Sequence, residues 1–306
     1  MRNTFAAELL KAARNDSAIL LISGDLGFGV FDEFRSELPG QFINSGVAEQ
    51  SMMSMAAGLA SQGFRPFVYS IANFPTFRCL EQIRNDVSYM KNPVTIVSVG
   101  AGMGYGAHGY SHHAIEDIAV IRIFKDIEIY SPSDQEETIF CMEKILNRSV
   151  PSYLRLGKGG ELSLKLSYGF KHANWEKITG DFHAAVFWTG AIGSEVLKAK
   201  EQLAEEGFRI SATSFPEISK EAICEALNFN VDLPILTVEE HVFEGGFGSS
   251  VLEIASDIGH KGRITRLGID SRNKHQLGSQ SYLRELNGLN SPSIAIKLKA
   301  LMESAT

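Results

Sequence analysis

Three stretches of the 306-residue chain combine residue types that do chemistry with spacings unusual for plain scaffold. The first, Asn44-Ser45-Gly46-Val47-Ala48-Glu49-Gln50, reads as the entry to a helix. An acid in a first helical turn complements the helix dipole, which is the ordinary explanation for Glu49. The second runs from Gly100 through Gly102, Gly104, Gly106 and Gly109 to His112-His113, with His108 inside it and Glu116-Asp117 just beyond. Its glycines are spaced G-x-G-x-G-x-x-G rather than G-x-G-x-x-G, so a nucleotide loop fits poorly. The clustered histidines and acids suit a metal or a metal-free polar site; helical or hairpin ligand spacing is absent, which favours the latter. The third is Val238-Glu239-Glu240-His241, followed by Gly245-Gly246-Phe247-Gly248. Each stretch gains functional weight from the presence of the other two.

These residues must be carried by regular elements, and short apolar runs alternating with helical patterns supply them. Ala18 to Ser23, Phe67 to Ile71, Val94 to Val99, Ile127 to Tyr130 and Tyr153 to Leu156 read as buried strands. Helices are expected over Thr4 to Arg14, Ala48 to Gln62, Thr76 to Lys91 and Ser133 to Asn147, the last opened by Ser133 and Glu136 at capping-box spacing. After a polar stretch the alternation restarts: strands near 184–188, 208–213, 234–238 and 264–267, with helices between and after them. Continuous apolar strands alternating with helices predict parallel sheets covered on both faces. The expected organisation is α/β with two domains, 1–160 and 181–306, joined by a linker over 161–180. In such a sheet the loop after Val94 to Val99 lies at the carboxyl ends of the strands, where ligands bind.

Composition narrows the class. With 44% hydrophobic and 21% charged residues, the chain is neither disordered nor fibrous. A net charge of -7 without a basic block gives no nucleic-acid footprint. Cys79, Cys141 and Cys224 are far apart, so neither a disulfide framework nor a zinc site is expected. No apolar run suggests a membrane span or a signal peptide, and the expected location is cytoplasmic.

The ordered set GVAEQ, EQIRNDV, GAHGYSHHAIED, SPSD, PSYLRLG and EEHVFEGGFG resembles the C-terminal half of transketolase, over almost the whole chain. That half comprises the pyrimidine-binding domain of thiamine diphosphate enzymes and a small C-terminal domain. The resemblance is greatest to split members, in which two polypeptides make one enzyme. It implies transfer of a two-carbon ketol unit from a ketose to an aldehyde. The 1-deoxyxylulose-phosphate synthases and the beta subunits of 2-oxo-acid dehydrogenases share the two domains. A 2-oxo-acid-decarboxylating subunit and a non-catalytic assembly subunit are the alternatives.

By this resemblance Glu49 binds N1′ of the cofactor's aminopyrimidine, favouring the imino tautomer whose N4′ deprotonates the thiazolium C2. Phe74 is the expected stacking ring and Phe77 the alternative; either can instead be a core phenylalanine. His112 would contact the donor's reacting oxygen, with His113 and His108 beside the substrate. Asp25 matches an acidic turn near the thiazolium, or is a loop carboxylate. Arg155 matches a substrate-phosphate arginine, or forms an interdomain ion pair. Two departures are notable: His108 stands where an aspartate reads a sugar hydroxyl, and Gly100 where a phosphate-binding histidine is usual. The substrate is therefore expected to differ from the ordinary pentose phosphates. The family's G-D-G element and downstream asparagine, which hold diphosphate and Mg2+, do not occur in the chain. The resemblance thus implies no metal ligand here, a shared thiamine diphosphate with Mg2+ on a partner N-terminal subunit, and an α2β2 heterotetramer. The C-terminal domain, including Glu239, Glu240 and His241, is expected to serve assembly.

Overall fold

The computed structural model describes residues 1–164, 174–175 and 182–303, so most of the expected linker lies outside the described residues. Strands β1 (Ile19–Ser23), β2 (Phe42–Asn44), β3 (Arg65–Ile71), β4 (Thr95–Val99), β5 (Glu128–Tyr130) and β6 (Ser152–Leu156) form one sheet. Their order is β2-β1-β3-β4-β6-β5 and every pair is parallel. Every residue of β1, β4 and β6 is buried, as a sheet covered on both faces requires. Phe5 and Leu9 of the first helix pack on one face with Met142. Met52, Met53, Ala56 and Ala60 of the helix Glu49–Ser61 pack on the other. The small side chains let that helix lie close to the strands.

A second sheet holds β7 (Asn174–Trp175), β8 (Ala184–Trp188), β9 (Ile210–Ser214), β10 (Ile235–Val242) and β11 (Ile264–Ile269) in the order β11-β10-β8-β9-β7. It is parallel except for β7, which runs antiparallel to β9. Two expectations shift locally. The helix foreseen over Thr76 to Lys91 is a 3-10 turn (Phe77–Cys79), one α-turn (Leu80–Gln82) and a π-helical segment (Ile83–Tyr89). The helix Gln135–Leu146 is capped by Asp134, whose carboxylate accepts the Glu137 N–H at 3.0 Å, and not by Ser133. Glu137 instead reaches back to accept the Ser133 N–H at 2.7 Å.

The third chemical stretch joins the two sheets. Glu239 accepts the N–H groups of Phe247 and Gly248 at 2.7 Å each, closing the N-terminus of the helix Phe247–Ile258. Glu240, buried, accepts from Gln280 at 3.0 Å and from Arg284 at 2.9 Å. The Val242 N–H donates to the Ile115 carbonyl at 2.9 Å. The His241 Nε2 accepts the Ala119 N–H at 3.3 Å. The glycine series belongs to the same junction. A Cβ on Gly102 would come within 2.5 Å of Glu240, and one on Gly106 within 2.6 Å of the Gly278 carbonyl oxygen. Gly102 and Gly106 thus permit close approach of the C-terminal domain.

Candidate active site

The chain leaves β1 toward β2 and then returns through the helix Glu49–Ser61 to β3 on the opposite side of β1. The strand order therefore reverses at β1 and β3, and a crevice opens outside their carboxyl ends. Ser23 of β1 is in register with Tyr69, so Gly24 and Asp25 emerge level with Ser70 at this rim. Phe74 to Arg78 follow β3, and the histidine loop follows β4.

Glu49 begins its helix and is only 2% exposed. Its Oε1 accepts from Ser70 Oγ at 3.4 Å, and its Oε2 from Arg78 Nη1 at 2.6 Å. A surface acid at a helix start needs no such burial, so dipole complementarity alone does not account for it. Arg78 also lies over the Phe74 ring, its guanidinium carbon 4.7 Å from the centroid. Phe74 meets His112 edge to face at 5.3 Å, and His112 stands 5.0 Å from His108. Ser111 Oγ and His112 Nδ1 are 3.0 Å apart. Asn73 Nδ2 donates to the Ser111 carbonyl at 3.2 Å, tying the loop after β3 to the histidine loop. Glu49, Phe74, His112 and His108 are thus linked through successive contacts along one rim. Burial and the nearby His108 hold the His112 imidazole below its ordinary pKa.

The remaining expected residues separate. Phe77 is 38% exposed and lines, with Phe74, Arg78, Tyr110, Ser111 and Glu116, an open pocket of about 430 Å³. It is not a core phenylalanine. Asp25, exposed and in the left-handed region at φ 56°, accepts from Asn44 Nδ2 at 2.9 Å. His113 is buried, and that burial, only partly offset by the nearby Gly106 and Lys274 backbone, lowers its pKa. A substrate arriving from solvent does not reach it, which corrects the expectation of a substrate contact. Gly100 carries the Tyr105 ring against its Cα, where a Cβ would lie 2.1 Å from the ring. A histidine could not occupy that position without displacing Tyr105.

Arg155 is corrected as well. It is 2% exposed, and its Nε donates to Asp117 Oδ2 at 2.7 Å. Its Nη2 donates to the carbonyls of Ala114 at 2.7 Å and Glu240 at 3.0 Å, bridging the two sheets. Tyr153 donates to the same Asp117 oxygen at 2.6 Å. Burial alone would raise the Asp117 pKa, but Arg155 and His241 more than offset it and hold the carboxyl below the usual range. The Arg155 ion pair lies within residues 1–160, and what reaches the second sheet is the hydrogen bond to the Glu240 carbonyl, so the structure gives neither the phosphate contact nor an interdomain ion pair. The exposed cation at the end of β6 is Lys158, its ammonium 5.2 Å from the Tyr105 ring, which in turn touches His108.

Sequence reasoning missed Arg78 and Ser70, the two partners of Glu49. Both are ordinary residues in the sequence, and only the parallel register of β1 and β3 brings them to the helix start. The one available signal was the position of Arg78 directly after Phe74-Pro75-Thr76-Phe77. A buried carboxylate beside an accessible aromatic face suits a flat, protonatable heteroaromatic ring, since the first can bond a ring N–H and the second can stack. Among the described residues no group of three or more His, Cys, Asp or Glu side chains could hold a metal ion. No helix among them is long and apolar enough to cross a membrane.

Comparison with known proteins agrees with this geometry. Residues 1–160 match the model of the transketolase pyrimidine-binding domain. A 1-deoxy-D-xylulose-5-phosphate synthase of Clostridium perfringens is 30% identical over 98% of this chain and 49% of its own length. The chain thus spans about half the length of such curated relatives. A subunit of the apulose-4-phosphate transketolase of Phocaeicola vulgatus is 33% identical over 84% of this chain and 83% of its own. A solved split-gene transketolase, described as an inactive beta4 tetramer, superposes with a TM-score of 0.86 at 25% identity, covering 100% and 99% of the two chains. Transketolase of Campylobacter jejuni superposes at 0.82 with 20% identity, over 98% of this chain and 46% of that one, a likeness of fold. The chain belongs to the transketolase family of thiamine diphosphate enzymes and corresponds to its C-terminal half, pyrimidine-binding domain included.

Proposed function

We propose that the chain is the pyrimidine-binding subunit of a two-chain, ketol-transferring enzyme. The observation that carries this reading is the buried Glu49 carboxylate at the switch point, next to the Phe74 face and on one rim with His112. Thiamine diphosphate would be held by Glu49 at its aminopyrimidine and by Phe74, or Phe77, at its ring face, with Asp25 nearer the thiazolium. When bound, the cofactor supplies a carbon nucleophile and a sink for the electrons of the broken C–C bond. Glu49 would present its buried carboxylate to the ring nitrogen, where the low local polarity strengthens the hydrogen bond. His112, whose pKa burial and His108 lower, would accept a proton from a donor hydroxyl and return it later.

The diphosphate and Mg2+ would lie on a partner polypeptide in an α2β2 assembly. The match to a single transketolase subunit over 83% of that subunit's length supports a two-chain arrangement. The substrate would be a specialised sugar, since His108 presents an imidazole where the family presents a carboxylate. If that substrate carries an anionic group, Lys158 meets it, because the Arg155 fork is committed elsewhere. A second reading is formation of a deoxyketose phosphate, as the name of the synthase relatives that match nearly the whole chain suggests, and a subunit that decarboxylates a 2-oxo acid is the other alternative. The experiment is turnover of Glu49→Gln in the reconstituted two-chain enzyme, offered ketose donors and a 2-oxo acid in parallel. A loss of roughly a hundredfold or more at saturating cofactor is expected. Turnover within about twofold of the parent refutes a catalytic Glu49.

A further inference from the structure

Arg78 satisfies, within the chain itself, both contacts that the proposed pyrimidine site offers. Its guanidinium donates to Glu49 Oε2 at 2.6 Å and stacks over the Phe74 ring at 4.7 Å. A guanidinium is planar, cationic and edged with N–H donors. It therefore shares with a protonated aminopyrimidine the three properties the site reads: a flat face, a positive charge and an N–H aimed at a carboxylate. The two partners differ in freedom. Glu49 is 2% exposed and fixed in a first helical turn, whereas the Arg78 side chain is 46% exposed in the middle of a short 3-10 segment. The buried group stays and the solvent-facing one can leave. Without Arg78, the Glu49 carboxylate would keep only the long 3.4 Å bond from Ser70, a costly state for a buried charge.

We propose that Arg78 is a placeholder for the aminopyrimidine: it neutralises Glu49 and covers Phe74 in the cofactor-free chain, and it must swing aside for the ring to enter. This rests on the proposed function. Cofactor affinity is then lowered by the fraction of molecules in which Arg78 holds the site. Arg78 is a positioning residue that competes with the cofactor.

The test uses the full chain alone and a probe that needs no partner, 4-amino-5-hydroxymethyl-2-methylpyrimidine, titrated by NMR at millimolar concentration. Arg78→Met keeps the stem over Phe74 and removes the charge; Arg78→Gln is the second variant should the first fold poorly. Either is expected to bind the probe roughly fivefold tighter than the parent, in line with release of a partly exposed ion pair. Arg78→Lys, which keeps the charge but not the flat face, binds the probe with an affinity between those of the parent and Arg78→Met, and adding Glu49→Gln to Arg78→Met abolishes the gain. A readout independent of the probe is thermal unfolding: Arg78→Met lowers the midpoint, and Glu49→Gln in the same chain recovers it. Equal or weaker probe binding by Arg78→Met that still depends on Glu49 overturns the placeholder and leaves the pyrimidine site standing. Absence of any Glu49-dependent probe binding in parent and variant overturns both.

Discussion

Replacing Asp117 by Asn tests whether a buried charge pair within residues 1–160 locks Arg155 in place to bridge to the Glu240 carbonyl. Asp117 is fully buried and Arg155 is 2% exposed. The carboxylate oxygen takes two short bonds, from Arg155 at 2.7 Å and Tyr153 at 2.6 Å. Asparagine keeps the shape and one acceptor, so little packing is lost. What remains is a buried guanidinium without its counter-charge, held by the retained amide oxygen and two backbone carbonyls. Breaking a buried pair from one side costs about 3–5 kcal/mol, and retention of one hydrogen bond places the expected loss near about 3 kcal/mol. The control is an exposed ion pair, Arg122 with Glu253, which does join the two domains and whose acid is 61% exposed; Glu253→Gln should cost under about 1 kcal/mol. Urea unfolding of both variants gives the comparison. Equal losses, or a loss for Asp117→Asn below about 1 kcal/mol, would refute the lock. The pH dependence has a fixed sign. The folded Asp117 pKa is depressed, so the stabilisation is present above the unfolded carboxylate value, about 3.9, and is lost as pH falls through the folded value.

In the reconstituted enzyme, the acid limb of the turnover profile should have its midpoint below the ordinary imidazole value of about 6.5, because the His112 pKa is lowered. His108→Gln removes the neighbouring imidazole that helps lower the His112 pKa and should move that midpoint up; an unmoved limb excludes His112 as the titrating group. His108→Asp should shift sugar preference toward xylulose 5-phosphate and ribose 5-phosphate, and an unchanged substrate profile makes His108 a bystander. Lys158→Gln should raise KM for a phosphorylated substrate about tenfold with little change in kcat, within the range for a lost charged contact; unchanged KM excludes Lys158 as the anion contact.

The fold was legible where hydrophobic runs were continuous. Ala184–Trp188 is the strand that the sequence predicts, and Ile19–Ser23 departs by one residue. The edge strand Phe42–Asn44 was not, because three residues after Pro39-Gly40 carry no period. The irregular segment Phe77–Tyr89 read as one α-helix because Ile83 and Val87 keep helical spacing while the backbone widens to π geometry. For the site, motif order pointed to Glu49, Phe74 and His112, and these do meet along one rim. The pairing of Glu49 with Arg78 was invisible, since it arises from tertiary register. Arg155 and His113 carried the right chemistry, but their burial, which decides whether they can meet a ligand, is not written in a local motif. The glycine series looked like a ligand loop because close backbone approach to another domain and to a phosphate demand the same residue.

The central claim is that this chain holds one half of a thiamine diphosphate site. Titration calorimetry with thiamine diphosphate and Mg2+ tests it most directly, on the chain alone and after addition of a polypeptide bearing the diphosphate half. The account predicts weak or undetectable binding by the chain alone, and tight Mg2+-dependent binding, weakened by Glu49→Gln, once the partner is present. Submicromolar, Mg2+-dependent binding by the chain alone would contradict it.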